Sequence, residues 1–360
     1  MKKLISPIVL LAFIQFPEKI QHTRDEFSSF SPSENIFIIT IDGFRWQEVF
    51  KGADSVLLSD IKYTPDTSTM KLYYWDSGIN ERRKRLLPFF WNVLSKRGQI
   101  FGNRVYDNKV NVANGYVKSY PGYSEIFTGI IDPALSSNYK INNPNINVLE
   151  YLNSKPKYRR SVAAFTSWNL FPFILNTSRN NIKMNSGYET TGGQEPSDIQ
   201  QAINLVQDEL IEEKKSTRLD QLTFEAAKEY IKKNHPKIFY LGLGETDEAA
   251  HDGRYDLYLE KAHQADQMIA ELWNIIQTDP QYKNNTTLII TTDHGRGAKF
   301  SKWTSHGSFI KGSSQTWIAL MGPGISPDGE LKSPNQFYQF QLAELISGLA
   351  GESFGSVKRN

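Results

Sequence analysis

Three apolar runs in this 360-residue chain are each followed by side chains able to bind a cation. Asp42 comes after Asn35–Thr40 (NIFIIT). After Lys237–Leu243 (KIFYLGL) come Asp247 and, four residues on, His251. Asp293 and His294 follow Thr287–Thr292 (TLIITT), and His306 stands at the end of a loop bearing glycine and serine. If the runs are parallel strands, all six groups collect at one edge of a sheet, since ligands of open α/β sheets gather at the carboxyl ends of strands. Each residue alone has an ordinary explanation. An Asp after a strand caps a helix or a turn, an Asp/His pair at i,i+4 lies on a helix surface, and a lone His is satisfied where it packs. Convergence argues otherwise, because crowded carboxylates repel and are costly to desolvate, whereas a cation compensates them. The chain has no cysteine, so His and carboxylates are the ligands it has to offer.

The ligand supply suits two divalent ions, Asp42, Asp293 and His294 holding one and Asp247, His251 and His306 the other. Mixed His/carboxylate sets fit zinc first and manganese as an alternative. Two such ions about 3.5–4 Å apart clamp the attacking and leaving oxygens of an in-line displacement at phosphorus. A nucleophile is then needed. Lys118-Ser119-Tyr120-Pro121-Gly122-Tyr123 leads into a helical stretch ended by Gly129, which puts Ser119 at or just before a helix N-terminus. There the backbone N–H groups and helix dipole favour an anion. A cation beside the hydroxyl lowers its pKa and makes it a nucleophile without a neighbouring base. The other reading of Ser119 is a plain N-cap, worth about 1 kcal/mol.

These residues need a scaffold. Strand patterns at Asn35–Thr40, Arg160–Thr166, Lys237–Leu243, Thr287–Thr292 and Trp317–Met321 alternate with helical patterns at Leu86–Ser95, Val148–Asn153, Asp198–Glu212, Leu222–Lys233, Tyr255–Gln277 and Gln336–Leu349. Such alternation predicts an α/β fold, a mostly parallel sheet with helices on both faces. Lys51–Asn80 and Thr177–Ser197 are polar and are expected to be irregular insertions at the rim of the site. With 39% apolar and 22% charged residues, the composition is that of a globular protein. Lys+Arg 41 against Asp+Glu 39 leaves no global basic field, so specific nucleic-acid binding is not expected. Met1-Lys2-Lys3 followed by the apolar run Leu4–Phe16 has the plan of a signal peptide within residues 1–20. It predicts export, periplasmic or secreted, with the segment retained as an anchor where no cleavage occurs.

Taken together, IITIDGFRW (Ile38–Trp46), KSYPGYSEIFTG (Lys118–Gly129), GETDEAAH (Gly244–His251), TTDHGRG (Thr291–Gly297) and SHG (Ser305–Gly307) resemble the alkaline phosphatase superfamily. The likeness is greatest to its nucleotide pyrophosphatase/phosphodiesterase branch. The resemblance implies an alkaline-phosphatase-like three-layer sandwich over residues 33–355, one hydrolase domain with insertions at about 51–80 and 177–197. It implies Asp42, Asp293 and His294 at one ion, Asp247, His251 and His306 at the other, and Ser119 as nucleophile and ligand, with a covalent phospho-enzyme. The branch also has an Asn downstream of the nucleophile that binds the phosphoryl oxygen. Among Asn138, Asn142 and Asn143, Asn142 is the expected one.

Lys118, Arg45, Arg179 and Arg296 are cationic candidates for which a solvated surface role is expected. Trp46, Tyr123, Trp168 and Phe171 are aromatic candidates for a substrate groove. Ser119-x-Pro121-x-Tyr123 lacks the Arg that ends the sulfatase motif. The expected activity is therefore hydrolysis of a small-molecule phosphate ester, a diester or a monoester. The alternatives are a sulfatase-like or phosphotransferase relative and a catalytically idle exported binding protein. The sequence points to no protein partner.

Overall fold

A computed structural model describes residues 30–209 and 216–355. The seven residues of β1, Asn35–Ile41, are all buried, as expected of a β-branched run covered on both faces. Their side chains alternate. Phe37, Ile39 and Ile41 enter one hydrophobic core and Ile36 and Ile38 the other. Neighbouring strands repeat the division. Phe239, Leu241 and Leu243 face the first core and Ile238 and Tyr240 the second, as Leu288 and Ile290 oppose Ile289.

In chain order the strands are β1, β2 (Gly98–Phe101), β3 (Asn108–Asn111), β4 (Val162–Thr166), β5 (Lys183–Ser186), β6 (Ile238–Leu243), β7 (Thr286–Thr291), β8 (Gln315–Thr316), β9 (Ile318–Met321), β10 (Gly329–Glu330) and β11 (Asn335–Tyr338). Eight of them form the sheet β10-β2-β9-β7-β1-β6-β4-β5, while β11, β3 and β8 form a smaller one. In the large sheet only β9 runs antiparallel to its neighbours. Helix Tyr255–Thr278 packs its Tyr258, Ala262, Ala265, Ile269 and Leu272 into the first core. Helices Ser119–Thr128, Val148–Ser154 and Gln341–Leu349 cover the second. Two helical layers thus enclose a mostly parallel sheet, the expected sandwich.

Register positions the site. Thr40 pairs with Thr291 on one side and Ile41 with Leu243 on the other, so β7, β1 and β6 end level at the middle of the sheet. The segments leaving these three strands therefore emerge at the same edge.

Several sequence expectations are corrected. Lys51–Asn80 is not irregular, since it holds the helices Ser55–Ser59 and Thr67–Tyr74 and the start of Ile79–Leu86. The side chains of Asp54 and Asp66 cap the first two by accepting backbone N–H bonds, and side-chain caps of this kind stabilise helices too short to show a clear period. Gln336–Leu349 is helical only from Gln341, because Asn335–Tyr338 pairs with β3 as strand β11. Thr177–Ser197 contributes edge strand β5. Among the described residues no helix is long and apolar enough to cross a membrane, so the expected anchoring is not upheld. The apolar segment on which export was expected lies outside the described residues.

Candidate metal centre

Asp42 is the first residue beyond β1, and its N–H donates to Leu243 O at 3.0 Å, which ties the end of β1 to that of β6. Beyond β7, Asp293 and His294 are fully buried. Helix Glu245–His251, directly after β6, carries Asp247 and His251 one turn apart. Its N-terminus is held by Asp220, whose carboxylate accepts from Gly244 N at 2.8 Å and Glu245 N at 3.0 Å. Ser119 opens the helix Ser119–Thr128, every residue of which is buried. That helix lies close against the β7 end because Gly122 has no side chain; a Cβ there would stand 2.6 Å from Asp293 O.

Three groups converge around His294 Nε2. Ser119 Oγ is 3.2 Å away, Asp293 Oδ2 3.3 Å and Asp42 Oδ1 3.6 Å. His294 Nδ1 donates to Gly295 O at 3.0 Å, which in the neutral ring leaves the Nε2 lone pair facing the carboxylates and the serine. Tyr123 Oη donates to Asp42 Oδ2 at 3.0 Å. The other two carboxylate oxygens, Asp42 Oδ1 and Asp293 Oδ2, are buried with no hydrogen-bond partner. Such orphaned anionic atoms are unfavourable unless a cation meets them.

Beside this set lies another. His251 Nε2 is 3.1 Å from Asp247 Oδ2 and 3.2 Å from His306 Nε2, and His306 Nε2 is 4.0 Å from Asp247 Oδ1. His306 Nδ1 donates to Val117 O at 2.9 Å, so its Nε2 is likewise free to act as a ligand. The His306 ring stacks on that of His294 with centroids 3.8 Å apart, so the two sets adjoin. The ligand atoms of Asp42, Asp293 and His294 lie within 4.8 Å of one another, as do those of Asp247, His294 and His306.

Electrostatics agree with a cation centre. Burial, reinforced by repulsion from Asp293 and Asp247, pushes the Asp42 carboxyl well above its usual range. Burial and the charge of Asp247 raise Asp293 to about 8. His294 is held neutral chiefly by burial. Asp247 goes the other way. Burial opposes its ionisation, but the Arg296 guanidinium and the nearby histidines hold it well below the ordinary carboxylate value. Buried carboxylates that repel one another and neutral imidazoles with open lone pairs form a donor set for divalent metal.

The expected asparagine, Asn142, bonds Ser178, and two arginines expected to be solvated are buried. Asn142 is exposed and donates to Ser178 Oγ at 3.1 Å. Asn143 is buried and donates to Ser124 Oγ at 2.9 Å. Asn138, exposed like Asn142, accepts at Oδ1 from the N–H of Tyr120, the residue after Ser119, at 2.9 Å. Arg45 and Arg296 are not solvated. They are 3% and 1% exposed, Arg45 pairing with Glu48 and Arg296 with Asp247. Of the aromatic candidates, Trp46, Tyr123 and Phe171 are core residues. Tyr123 and Arg296 stand inside the family-like motifs, which was the available signal, but nothing in residue type alone showed which atoms they would meet. His235 pairs with Asp279 and His263 with Leu86 O, both away from the centre.

Residues 189–309 match the family model described as Metalloenzyme, the Metalloenzyme superfamily. No protein of curated function matches the chain by sequence. Among solved structures, alkaline phosphatase PafA superposes with a TM-score of 0.61 at 12% identity, covering 91% of this chain and 98% of that one. The lipoteichoic acid synthase LtaP from Listeria monocytogenes gives a TM-score of 0.56 at 12% identity, covering 93% and 78%. The phosphonate monoester hydrolase of Agrobacterium radiobacter gives 0.51 at 12% identity, covering 89% and 78%. At these identities the likeness is one of fold.

Proposed function

We propose that this member of the metalloenzyme (alkaline phosphatase) superfamily is a two-cation hydrolase of phosphate esters with Ser119 as its nucleophile. The observation that carries this reading is the pair of buried oxygens without hydrogen-bond partners, Asp42 Oδ1 and Asp293 Oδ2, 3.6 and 3.3 Å from His294 Nε2, with Ser119 Oγ 3.2 Å from the same nitrogen. The first cation belongs with Asp42, Asp293, His294 and Ser119, and the second with Asp247, His251 and His306. Zinc suits both sets, with manganese as the alternative. When bound, the ions supply charge neutralisation for the attacking and leaving oxygens.

The chain does the rest. Helix Ser119–Thr128 presents the serine hydroxyl at its N-terminus, and Tyr123 holds Asp42 in place from one turn further on. Ser119 Oγ forms a bond to phosphorus as the bond to the departing alcohol breaks. The hydroxyl proton passes to solvent and the departing alkoxide takes one from water. Water then attacks the phosphoserine, releasing phosphate or a phosphomonoester and restoring the hydroxyl. In this reading Asn138, whose Oδ1 accepts from the amide next to Ser119, takes the phosphoryl-binding role expected of Asn142.

The test is hydrolysis of nitrophenyl phosphate as monoester and as diester, with and without a chelator, by the parent and by Ser119→Ala. The expected result is chelator-sensitive cleavage that falls roughly 10³-fold or more in the variant. Metal content is expected to stay at the parent level, since the carboxylates and imidazoles remain. Full activity of Ser119→Ala would refute the covalent route. The ratio of diester to monoester rates assigns the substrate class.

A further inference from the structure

Arg296 comes two residues after His294, yet its guanidinium does not point to solvent. Nε donates to Trp303 O at 2.9 Å, Nη2 donates to Thr304 O, and Nη1 donates to Asp247 Oδ1. One planar group thus joins three separate pieces of chain: the β7 end that carries His294, helix Glu245–His251 that carries Asp247, and the loop that delivers His306 two residues after Thr304. It occupies one oxygen of Asp247 and leaves Oδ2, 3.1 Å from His251 Nε2, as the oxygen available for coordination. The packing is tight around Gly43, whose φ of +60° itself favours glycine. A Cβ there would lie 2.5 Å from Asp247 Oδ1 and 2.9 Å from Arg296 Nη1.

We propose that Arg296 is a positioning residue that clamps Asp247 to the His306 loop, so that Asp247, His251 and His306 form a cation site as one unit. The inference rests on the two-cation reading above. Electrostatics alone would give Arg296 the opposite effect, since a fixed positive charge beside a cation site weakens it. Geometry favours the clamp. Three acceptors on two chain segments are met by three donors of a rigid fork, and a side chain without that fork leaves buried carbonyls and a carboxylate oxygen unpaired. Groups that orient a metal's ligands are worth about 10–100-fold in metal affinity. Among the described residues the Asp42, Asp293 and His294 set makes no hydrogen bond to the guanidinium and feels only its charge, so the loss of affinity is expected at one ion only.

The experiment is zinc binding to metal-stripped parent, Arg296→Met and Arg296→Lys, by titration calorimetry with metal analysis after dialysis. The parent is expected to bind two ions. Both variants are expected to keep the first at parent affinity and to bind the second about 10–100-fold more weakly. Lysine is expected not to restore it, because it keeps the charge but not the fork. If Arg296→Met does not fold, Arg296→Gln takes its place beside the lysine variant. Unchanged or tighter binding of the second ion, equal weakening of both ions, or full restoration by lysine overturns the clamp while leaving the two-cation reading intact. A parent that binds no zinc or manganese overturns that reading, and the clamp with it.

Discussion

Neutralising Asp293 is expected to stabilise the metal-free protein while removing most of the stabilisation that metal gives through the first site. The carboxyl is fully buried, with Oδ1 accepting from Gly43 N at 3.1 Å and Oδ2 unpartnered. Its pKa rises from 3.8 to about 8, chiefly through burial and then through the charge of Asp247. A carboxyl raised in the folded state contributes stability that is complete below about pH 4 and lost as pH climbs through about 8. At 1.36 kcal/mol per unit, the loss at pH 7 has a ceiling of about 4 kcal/mol. Relaxation and water entry reduce such penalties, so Asp293→Asn should gain about 1–3 kcal/mol at pH 7. At about 2 °C per kcal/mol, that is a rise of roughly 2–6 °C in Tm in chelator. The amide retains the bond from Gly43 N, and its nitrogen can donate to His294 Nε2. The gain should vanish near pH 4 and be largest above pH 8. With zinc at 100 times Kd the parent gains about 2.7 kcal/mol, and the variant should lose most of that gain. Thermal melts of both proteins from pH 4 to 9, in chelator and in zinc, read all of this. A variant less stable than the parent in chelator at pH 8, or one stabilised by zinc as strongly as the parent, refutes the reasoning.

Three other outcomes are expected. Gly43→Ala places a side chain at φ +60° against Asp247 and Arg296, and should cost about 1–2 kcal/mol from the backbone alone and lower zinc affinity as well, read by melts and calorimetry. Asn138→Ala should reduce turnover roughly 10–100-fold, whereas Asn142→Ala stays within about twofold, read by nitrophenyl ester kinetics. Asp266, buried and accepting from Phe89 N at 2.7 Å and Phe90 N at 2.9 Å, is pushed up to about 7 by that burial. Its contribution is therefore complete below about pH 4 and lost as pH rises through about 7. Asp266→Asn should flatten stability across that range in denaturant titrations, and an unchanged slope would refute the assignment.

Much of the centre was legible because its signals are local. A continuous β-branched run marks a strand buried on both faces, and a carboxylate after such a run sits at the edge where parallel strands end level. Asp42, Asp293 and His294 could be grouped on that basis, and the structure brings them together with Ser119. The helices Ser55–Ser59 and Thr67–Tyr74 were missed because one or two turns carry no measurable period and their Asp caps resemble turn residues. The strand Asn335–Tyr338 was missed because its stability comes from pairing with Asn108–Asn111, more than two hundred residues away in the chain.

Residue type and order alone determined the ligand inventory and the architecture. With no cysteine, cations had to be met by carboxylate and imidazole, and the alternation of apolar runs with amphipathic stretches required a layered sheet. Only the tertiary structure decided which polar atom meets which. It put Asn138 beside Tyr120 N and turned Asn142 towards Ser178, buried Arg296 against Asp247, and left Asp42 Oδ1 and Asp293 Oδ2 without partners. The physical reason is range. Backbone preferences and periodicity act over a few residues, whereas desolvation and hydrogen-bond pairing depend on segments that become neighbours only when the chain is folded.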